Sequence, residues 1–536
     1  MAMFFSSALA DVALFLVTCY LLVRLYIAHA FTYWEKRGVY HVKPTSVFGN
    51  LSNILFEREH TSECLERLYK ESVGQPMVGL FVMRRPILMV RDLSLLRCVF
   101  VKDAHVFLDR NKPNPVTDDL FTRSLFAMTG RRWRDLRIKL TPTFTSGKIK
   151  RMFHLIDECG KRLPPCIELE ASKGDAVAVK EVIARYSTDV IASCAFGVDA
   201  NALADPQCEF RAVMKRIFEV SPWKKLIGVL FFVVPSIPRL LKLSFIDEGV
   251  YDFVRRTFWE VVDYRKRNKV VRDDFVDLLV QIKREGRVRA DDDKDAEEIQ
   301  RDSAYMDKLS KTDKSSVDLD DNDILAQAFI FIVAGFETSS SVVTQALYEL
   351  ALHPDVQDKL RREIRTVLNK HSNNVTYDAI AEMHYLDMVV SETTRKYPTL
   401  PTLERVCLAD YKVPGTDITI EKGTRILIPV KAIHYDPEIY PDPQRFDPER
   451  FSAENKSKRS NFAHLPFGEG PRICIGMRFG QMQVKTALVH VISSYHVTPC
   501  ADTPKPPLRL KPRSTVLTPK QDIVLAFTKL KPAQGE

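Results

Sequence analysis

The apolar positions of this chain recur at helical spacing over most of its length and at strand spacing in a few short runs. Alternating apolar residues from Gln75 to Val90 predict β-structure near the N-terminus. Most segments from Cys98 to Leu400 show the period of helices, and strand patterns return from Arg405 to Val413 and from Arg425 to Val430. This order predicts a mainly α fold with small β-sheets.

One internal stretch lacks any apolar period. Residues from Arg284 to Asp323 are rich in Asp, Lys, Glu and Ser and nearly free of apolar side chains. A helical pattern resumes directly afterwards, from Ile324 to Leu352. We therefore predict a solvated loop inside a domain rather than a linker between domains.

The N-terminal segment is long and apolar enough to cross a membrane. Met3 to Val23 is 21 residues with Asp11 as its single charge, and a helix of that length spans about 30 Å, one hydrocarbon core. Arg24, Lys36 and Arg37 follow the segment, whereas no Lys or Arg precedes it, so the body of the protein is predicted to face the cytosol. The alternative is a cleaved signal peptide, which a missing positive n-region disfavours.

Composition and charge narrow the functional classes. The chain has 536 residues, 45% of them hydrophobic and 27% charged, which is typical of a globular protein. Its net charge of +9 suits an anionic membrane surface or an acidic protein partner, and interleaved acidic residues argue against nucleic acid. The ten cysteines show no zinc-like spacing, which favours a reducing compartment over a disulfide scaffold.

A short glycine-rich run near the C-terminus carries the most specific chemical signal. Its Phe467, Gly470, Arg472, Cys474 and Gly476 fit the pattern F-x-x-G-x-R-x-C-x-G. A thiolate ligand on haem iron favours O–O cleavage, and glycines let the backbone approach sulfur and porphyrin closely. The alternative, a buried structural cysteine beside a Gly-Pro turn, is disfavoured by the flanking pattern. On this run the chain resembles a cytochrome P450, a haem-thiolate monooxygenase.

The resemblance extends from Trp34 to near the C-terminus and implies a single-domain cytochrome P450 fold with haem b (iron protoporphyrin IX) as cofactor. It implies a membrane anchor at residues 1–25, a hinge or linker at 26–50 and a haem-thiolate catalytic domain at 51–536. It also implies the residues that hold the haem: the iron is bound by Cys474, and the porphyrin and its propionates by Trp133, Arg137, Arg405, Phe467, Arg472 and Gly476.

Trp133 and Arg137 belong to a basic stretch and lie four residues apart, so a helix places them on one face. The ordinary interpretation of such a charge run is a solvated face. We expect that interpretation to hold for Arg131 and Arg134, which could also dock an acidic electron donor.

The apolar helix predicted from Ile324 to Leu352 contains the sequence Ala-Gly-Phe-Glu-Thr, beginning at Ala334. It resembles the A-G-x-[DE]-T motif of the family's central helix, which implies that Thr338 and Glu337 relay protons in the active site. Gly335 costs about 1 kcal/mol in a helix interior, and we expect it to let oxygen and substrate approach. The alternative is that Thr338 only bonds the carbonyl four residues earlier.

Glu392 and Arg395 form an E-x-x-R motif, which places both charges on one helical face. Most such pairs are exposed and contribute under about 1 kcal/mol. The resemblance implies instead a buried pair joined by Arg450, with a structural role.

Substrate contacts are implied by position only: Asp118–Phe126, Ile330, Val333, Leu400, Leu403 and Thr515–Leu517. These are largely apolar, which predicts lipophilic substrates. The apolar segment from Trp223 to Phe245 is either a buried helix or, as the resemblance implies, a second membrane contact between two helices.

The resemblance is strongest to insect microsomal members that oxidise foreign compounds. It implies a membrane-bound enzyme on the cytosolic face of the endoplasmic reticulum that takes electrons from NADPH through a separate cytochrome reductase, with cytochrome b5 as a further candidate donor. No nucleotide-binding glycine fingerprint stands in the sequence. Oxidation of an endogenous steroid or fatty-acid-like hormone is an alternative. A reductase-independent isomerase or dehydratase, or a haem or lipid carrier, is disfavoured by the intact Glu-Thr pair.

Overall fold

The computed structural model describes residues 2–44, 47–110, 119–174, 176–218, 240, 246–289, 297, 299–300, 318–512, 514 and 516–531. Several predictions fall outside them: those on Asp118, Thr515, nearly all of Trp223–Phe245 and most of Arg284–Asp323.

The described helices are α1 (Ala2–Phe31), α2 (Ser52–Leu55), α3 (Thr61–Glu71), α4 (Leu93–Arg97), α5 (Gly130–Leu140), α6 (Ser146–Lys161), α7 (Leu163–Ala171), α8 (Val179–Ile191), α9 (Glu209–Phe218), α10 (Glu248–Asn268), α11 (Phe275–Glu285), α12 (Asp321–Leu352), α13 (Pro354–Lys370), α14 (Tyr377–Glu382), α15 (His384–Lys396), α16 (Val430–His434), α17 (Ala453–Ser457) and α18 (Met477–Ser494). The described strands are β1 (Met77–Val82), β2 (Arg85–Val90), β3 (Val177–Ala178), β4 (Leu403–Val406), β5 (Tyr411–Lys412), β6 (Thr419–Ile420), β7 (Arg425–Ile428), β8 (Tyr495–Pro499) and β9 (Val524–Lys529). The fold is mainly helical with small sheets, as the sequence predicts.

The chain divides into two compact units. The first comprises Met1–Asn111 and Thr402–Ile433, and the second Lys112–Pro401 and His434–Glu536. The first unit is built on a four-stranded sheet in the order β1-β2-β7-β4. Strands β1 and β2 are antiparallel, whereas β2 runs parallel to β7. Such short, apolar strands fit the predicted β-patterns.

The residues after α1 are fixed to this sheet. The Trp34 indole N–H donates to the Leu80 carbonyl at 3.1 Å, and the ring lies over Gly79, where an added Cβ would come within 2.4 Å of it. From Asp11 to Tyr26, most side chains of α1 are exposed, Leu14 and Phe15 each to 66%. An apolar helix with that exposure fits a membrane anchor.

Helix α12 forms the core of the second unit and packs against α8, α15 and α18. It is apolar enough to span a membrane, but 72% of its most hydrophobic stretch is buried in the protein. It begins at Asp321, three residues before the predicted start at Ile324. The reason is a capping box, in which the Asp320 carboxylate accepts from the Asp323 N–H at 2.7 Å and the Asp323 carboxylate accepts from the Asp320 N–H at 3.2 Å.

The E-x-x-R pair on α15 is buried, as the sequence analysis predicted. Glu392 and Arg395 have no exposed side-chain surface, and two Arg395 nitrogens donate to the carboxylate at 2.7 and 2.8 Å. Arg450 lies 3.5 Å from the same carboxylate, and the Asp447 N–H donates to it at 2.9 Å. Burial raises the pKa of Glu392, although the Arg395 guanidinium partly offsets this effect by lowering the same pKa. The pair therefore ties α15 to the loop that follows α16.

Candidate active site

The second unit contains a partly open apolar cavity of about 140 Å³. Elements α8, α11, α12 and α18 and the glycine-rich run contribute to its walls. Four phenylalanines on these walls form a cluster with ring centroids 4.8–5.4 Å apart; they are Phe144, Phe275, Phe331 and Phe479. A concave site with such apolar walls and a few polar groups is typical of a cofactor or small-molecule site.

Cys474 and Phe467 both line this cavity. The Cys474 N–H donates to the Phe467 carbonyl at 2.9 Å, which closes the run into a loop. Gly468 and Gly470 both have a φ of 73°, a left-handed conformation that glycine adopts without steric cost. These two glycines of the run therefore shape the loop that presents the thiol.

All ten cysteines lie among the described residues, and Cys474 alone is exposed. Burial raises the pKa of Cys64 and Cys159 to about 12 and that of Cys407 to about 11. Burial disfavours the thiolate that binds iron. Cys474 is therefore the candidate ligand on chemical grounds as well as by motif.

Two of the glycines that line the cavity, Gly476 and Gly335, differ in their surroundings. A Cβ added to Gly476 would meet only the Phe144 ring, at an ordinary van der Waals distance of 3.8 Å, so no close packing requires glycine there. A Cβ added to Gly335 would lie 2.3 Å from the Ile191 side chain on α8. The structure thus gives Gly335 a helix-packing role, which differs from the expected role of admitting oxygen and substrate.

Thr338 lies on the cavity wall with Ala334 and Gly335. Its hydroxyl donates to the Ala334 carbonyl at 2.5 Å, the bond that the alternative interpretation requires. That bond uses the hydroxyl hydrogen but leaves oxygen lone pairs on a side chain that borders the cavity. The geometry is therefore compatible with proton transfer through Thr338.

Glu337 is held by α8. Its carboxylate forms an ion pair with the Lys180 ammonium at 2.9 Å. The same ammonium donates to the Ser340 and Ser341 hydroxyls at 2.9 Å each. Burial lowers the pKa of Lys180, although the Glu337 carboxylate partly offsets this effect by raising the same pKa. Among the residues that the structure describes, those lining the cavity include Thr338 and Cys474 but not Glu337. Sequence reasoning did not identify Lys180, because it lies 157 residues before its partner.

Arg472 and Trp133 meet in the second unit. The Arg472 guanidinium lies 3.7 Å from the centroid of the Trp133 ring, and its Nη2 donates to the Met128 carbonyl at 2.9 Å. Both side chains are buried, with 3% and 1% exposed. A buried cation stacked on an indole suits an anionic ligand such as a propionate.

Helix α5 carries the predicted basic stretch. Arg137 is half-buried on it, one turn after Trp133. The prediction of a solvated face is wrong for Arg134, which is only 9% exposed. The helix buries Trp133, Arg134 and Leu136, so its buried surface is wider than a single stripe. Arg131 is exposed, as predicted, and pairs with Asp135 at 3.6 Å.

Arg405 belongs to the first unit, on β4. It is 3% exposed, with its guanidinium 4.9 Å from the Phe100 ring. Burial, with Arg110 nearby, lowers the pKa of Arg405 to about 9. Since burial penalises its positive charge, the site is chemically suited to a carboxylate partner.

The predicted substrate contacts on α12 need correction for this cavity. Within the described part of the chain, its wall includes Phe331 and Ala334 but neither Ile330 nor Val333. The helical period explains the difference, because Phe331 and Ala334 share a face with Thr338. Thr399, rather than Leu400, lines the cavity.

Together these residues fit a haem. Within the second unit, an exposed thiol opens into an apolar cavity, and the buried Arg472 guanidinium is chemically suited to a carboxylate. These are the features that thiolate-ligated haem requires of a protein.

Comparison with known proteins agrees with a haem site. The sequence pattern of the family "Cytochrome P450" matches residues 41–526. Cytochrome P450 6k1 from Blattella germanica is 42% identical over 97% of this chain and 98% of the relative, and P450 6j1 from the same insect is 40% identical over 98% and 99%. Cytochrome P450 6a2 from Drosophila melanogaster is 39% identical over 94% of this chain and 97% of its own length. This chain therefore belongs to the cytochrome P450 family and is a monooxygenase with haem b as its cofactor.

Proposed function

We propose that this monooxygenase inserts one oxygen atom from O2 into lipophilic foreign compounds, such as plant toxins or insecticides, with electrons from NADPH delivered by a cytochrome reductase. The observation that carries the proposal is the apolar cavity, whose walls include the Cys474 thiol and the Thr338 hydroxyl that the proposal requires. Haem, when bound, supplies the binding and activation of oxygen. The phenylalanine cluster favours apolar guests.

The chain's own residues would hold the cofactor. Cys474 would bind the iron, and its loop would keep the sulfur accessible as a thiolate. The residues proposed to hold the porphyrin and its propionates are Trp133, Arg137, Arg405, Phe467, Arg472 and Gly476. The stacking of Arg472 on Trp133 supports this role, because it fixes the guanidinium without neutralising it.

Thr338 would hold the last proton donor beside the reacting oxygen, with Glu337 as the carboxylate behind it. The two are adjacent on α12, and Thr338 faces the cavity. Since Glu337 is paired with Lys180, proton transfer from Glu337 would require exchange of this ion pair. Lys180 would then hold the carboxylate in place between turnovers.

The proposed location is the cytosolic face of the endoplasmic reticulum membrane, with residues 1–25 as the anchor. The exposed apolar surface of α1 supports the anchor, and Arg24, Lys36 and Arg37 after it support the orientation. The reductase, and cytochrome b5 as a further donor, would approach from the same aqueous side.

The test is reconstitution of the purified holoenzyme with reductase, NADPH and lipid, followed by a screen of insecticides, plant toxins and hormones. We expect product only when reductase, NADPH and O2 are all present. Preferential turnover of a steroid or fatty-acid-like hormone would favour the endogenous alternative. Rearrangement of a hydroperoxide without reductase would contradict the proposal and favour an isomerase or dehydratase.

A further inference from the structure

Helix α1 continues from its apolar, exposed part directly onto the sheet of the first unit. None of the most hydrophobic stretch within Asp11–Arg37 is buried in the protein, and large exposed apolar side chains extend as far as Tyr26, which is 58% exposed. The Phe31 ring lies 5.0 Å from the Phe81 ring on β1. The change from exposed apolar surface to protein contact therefore falls between Tyr26 and Phe31.

The turn between β1 and β2 lies beside that boundary. Two residues, Met83 and Arg84, join the antiparallel strands. The Arg84 guanidinium lies 5.2 Å from the centroid of the Tyr26 ring. Since Phe31 meets the body of β1 and Tyr26 meets the turn that follows it, the turn points toward the exposed apolar part of α1.

Three exposed arginines lie at this level: Arg24, Arg84 and Arg85. Arg24 directly follows the 21-residue apolar segment and lies about 3 Å from Tyr26 along the helix axis. The headgroup layer on each side of a hydrocarbon core is roughly 5–7 Å thick. A membrane that holds α1 would therefore place its headgroups beside the β1–β2 turn.

The charges of these arginines are not compensated by carboxylates. Within the described part of the chain, no Asp or Glu forms an ion pair with Arg24, Arg84 or Arg85. Arg37 in the same unit, by contrast, pairs with Glu421 at 2.6 Å. A cluster of positive charge without carboxylate partners attracts an anionic surface.

An exposed aromatic side chain flanks the same turn. The Met83 N–H donates to the Phe48 carbonyl at 2.9 Å, and the Phe48 ring lies 5.2 Å from the Phe56 ring. Phe56 is 52% exposed. Basic and aromatic side chains together are typical of surfaces that bind the bilayer interface. The turn and its neighbour thus continue the apolar surface that begins on α1.

We propose that the β1–β2 turn docks on the membrane that holds α1, with Arg84 and Arg85 binding the phosphates of anionic phospholipid headgroups. This rests on the proposed function, because it requires α1 to be a membrane anchor. Guanidinium groups bind phosphate through paired, charge-assisted hydrogen bonds. A second point of contact beside the anchor restricts rotation of the first unit around the axis of α1.

The test is the lipid preference of the full-length, haem-loaded protein in phosphatidylcholine bilayers that contain either spin-labelled phosphatidylserine or spin-labelled phosphatidylcholine. The motionally restricted fraction of each label gives the ratio of the two association constants. We expect the parent to prefer phosphatidylserine. Arg84→Gln/Arg85→Gln should lower the ratio about twofold, because only the lipids that touch the turn lose the roughly fivefold contribution of each charge.

Arg97→Gln/Lys102→Gln is the matched control. It also removes two exposed charges from the first unit, but both residues follow the other end of β2, a strand about 17 Å long. We expect its ratio to equal that of the parent. Arg84→Lys/Arg85→Lys keeps both charges and should keep most of the preference. If the double glutamine variant does not incorporate haem, Arg84→Gln alone should show about half the effect.

Equal ratios for the parent and Arg84→Gln/Arg85→Gln, or an equal fall in the Arg97→Gln/Lys102→Gln control, would overturn the proposal. An unchanged ratio together with weaker binding of the reductase would overturn it in favour of an acidic protein partner. The readout does not use turnover, so its failure is separable from failure of the proposed oxidation. A parent that restricts neither label would contradict the anchor itself and this contact with it.

Discussion

Thr338 has two possible roles, as a proton relay at the cavity or as a helix residue bonded to its own backbone. Its hydroxyl bonds Ala334 within the helix and also borders the cavity. Thr338→Ala removes the oxygen but keeps a good helix former. We expect NADPH consumption to continue while product per NADPH falls and hydrogen peroxide per NADPH rises, because proton delivery typically contributes about 10²–10⁴-fold to rate.

Thr344→Ala is the matched control for this prediction. The Thr344 hydroxyl also bonds a carbonyl four residues earlier, that of Ser340 at 2.7 Å, and it is not among the residues that line the described cavity. We expect its product-to-NADPH ratio to equal that of the parent. If Thr338→Ala keeps the parent's ratio as well, Thr338 is only a helix residue bonded to its own backbone.

From the sequence, a local motif predicts candidate site residues such as Cys474 and Thr338, and both line the cavity. The sequence could not identify the Lys180–Glu337 ion pair, the packing of Ile191 against Gly335 or the burial of Arg134. Each of these depends on how distant helices pack. Gln327 did leave a signal, as a lone amide in an apolar helix, but its hydrogen-bond partners Arg123 and Leu125 lie 204 and 202 residues earlier in the chain.

Among the elements, α15 depends on one buried ion pair. Glu392→Gln keeps the shape of the side chain but leaves the Arg395 charge buried without a carboxylate. Breaking such a pair typically costs about 3–5 kcal/mol. We expect a large fall in the urea midpoint for unfolding, measured on the haem-loaded protein, or failure to load haem.

Asp378→Asn is the control for that prediction. Asp378 pairs with Lys150 at 2.7 Å, but both side chains are more than half exposed, so water screens the charges. We expect a small shift only. Equal shifts for the two variants would contradict the structural role of Glu392.

The positions of helices and strands were predictable where the apolar residues recurred at a clear period. The apolar period gave α12 its C-terminal limit at Leu352 and gave the paired strands β1 and β2 their approximate positions. The start of α12 was predicted late, because the capping box of Asp320 and Asp323 is polar and has no apolar period. Element boundaries follow local capping chemistry more than hydrophobic patterning.

At the scale of the whole molecule, membrane attachment is predicted to have two parts. Deleting residues 1–25 should loosen attachment without abolishing it, because the apolar segment Trp223–Phe245 would still enter the interface. The measurement is the fraction of protein in the membrane pellet at high salt, compared with the full chain. Complete release into the supernatant would show that no second contact exists.

The central claim is that Cys474 binds the haem iron as a thiolate, and the optical spectrum of the reduced carbon monoxide complex tests it most directly. We expect a band near ~450 nm for the parent, typical of thiolate ligation. Cys208→Ser, at a half-buried cysteine in the same unit, should keep that band, whereas Cys474→His should lose it together with monooxygenase activity. A Cys474→His protein that kept both the band and the activity would contradict the account.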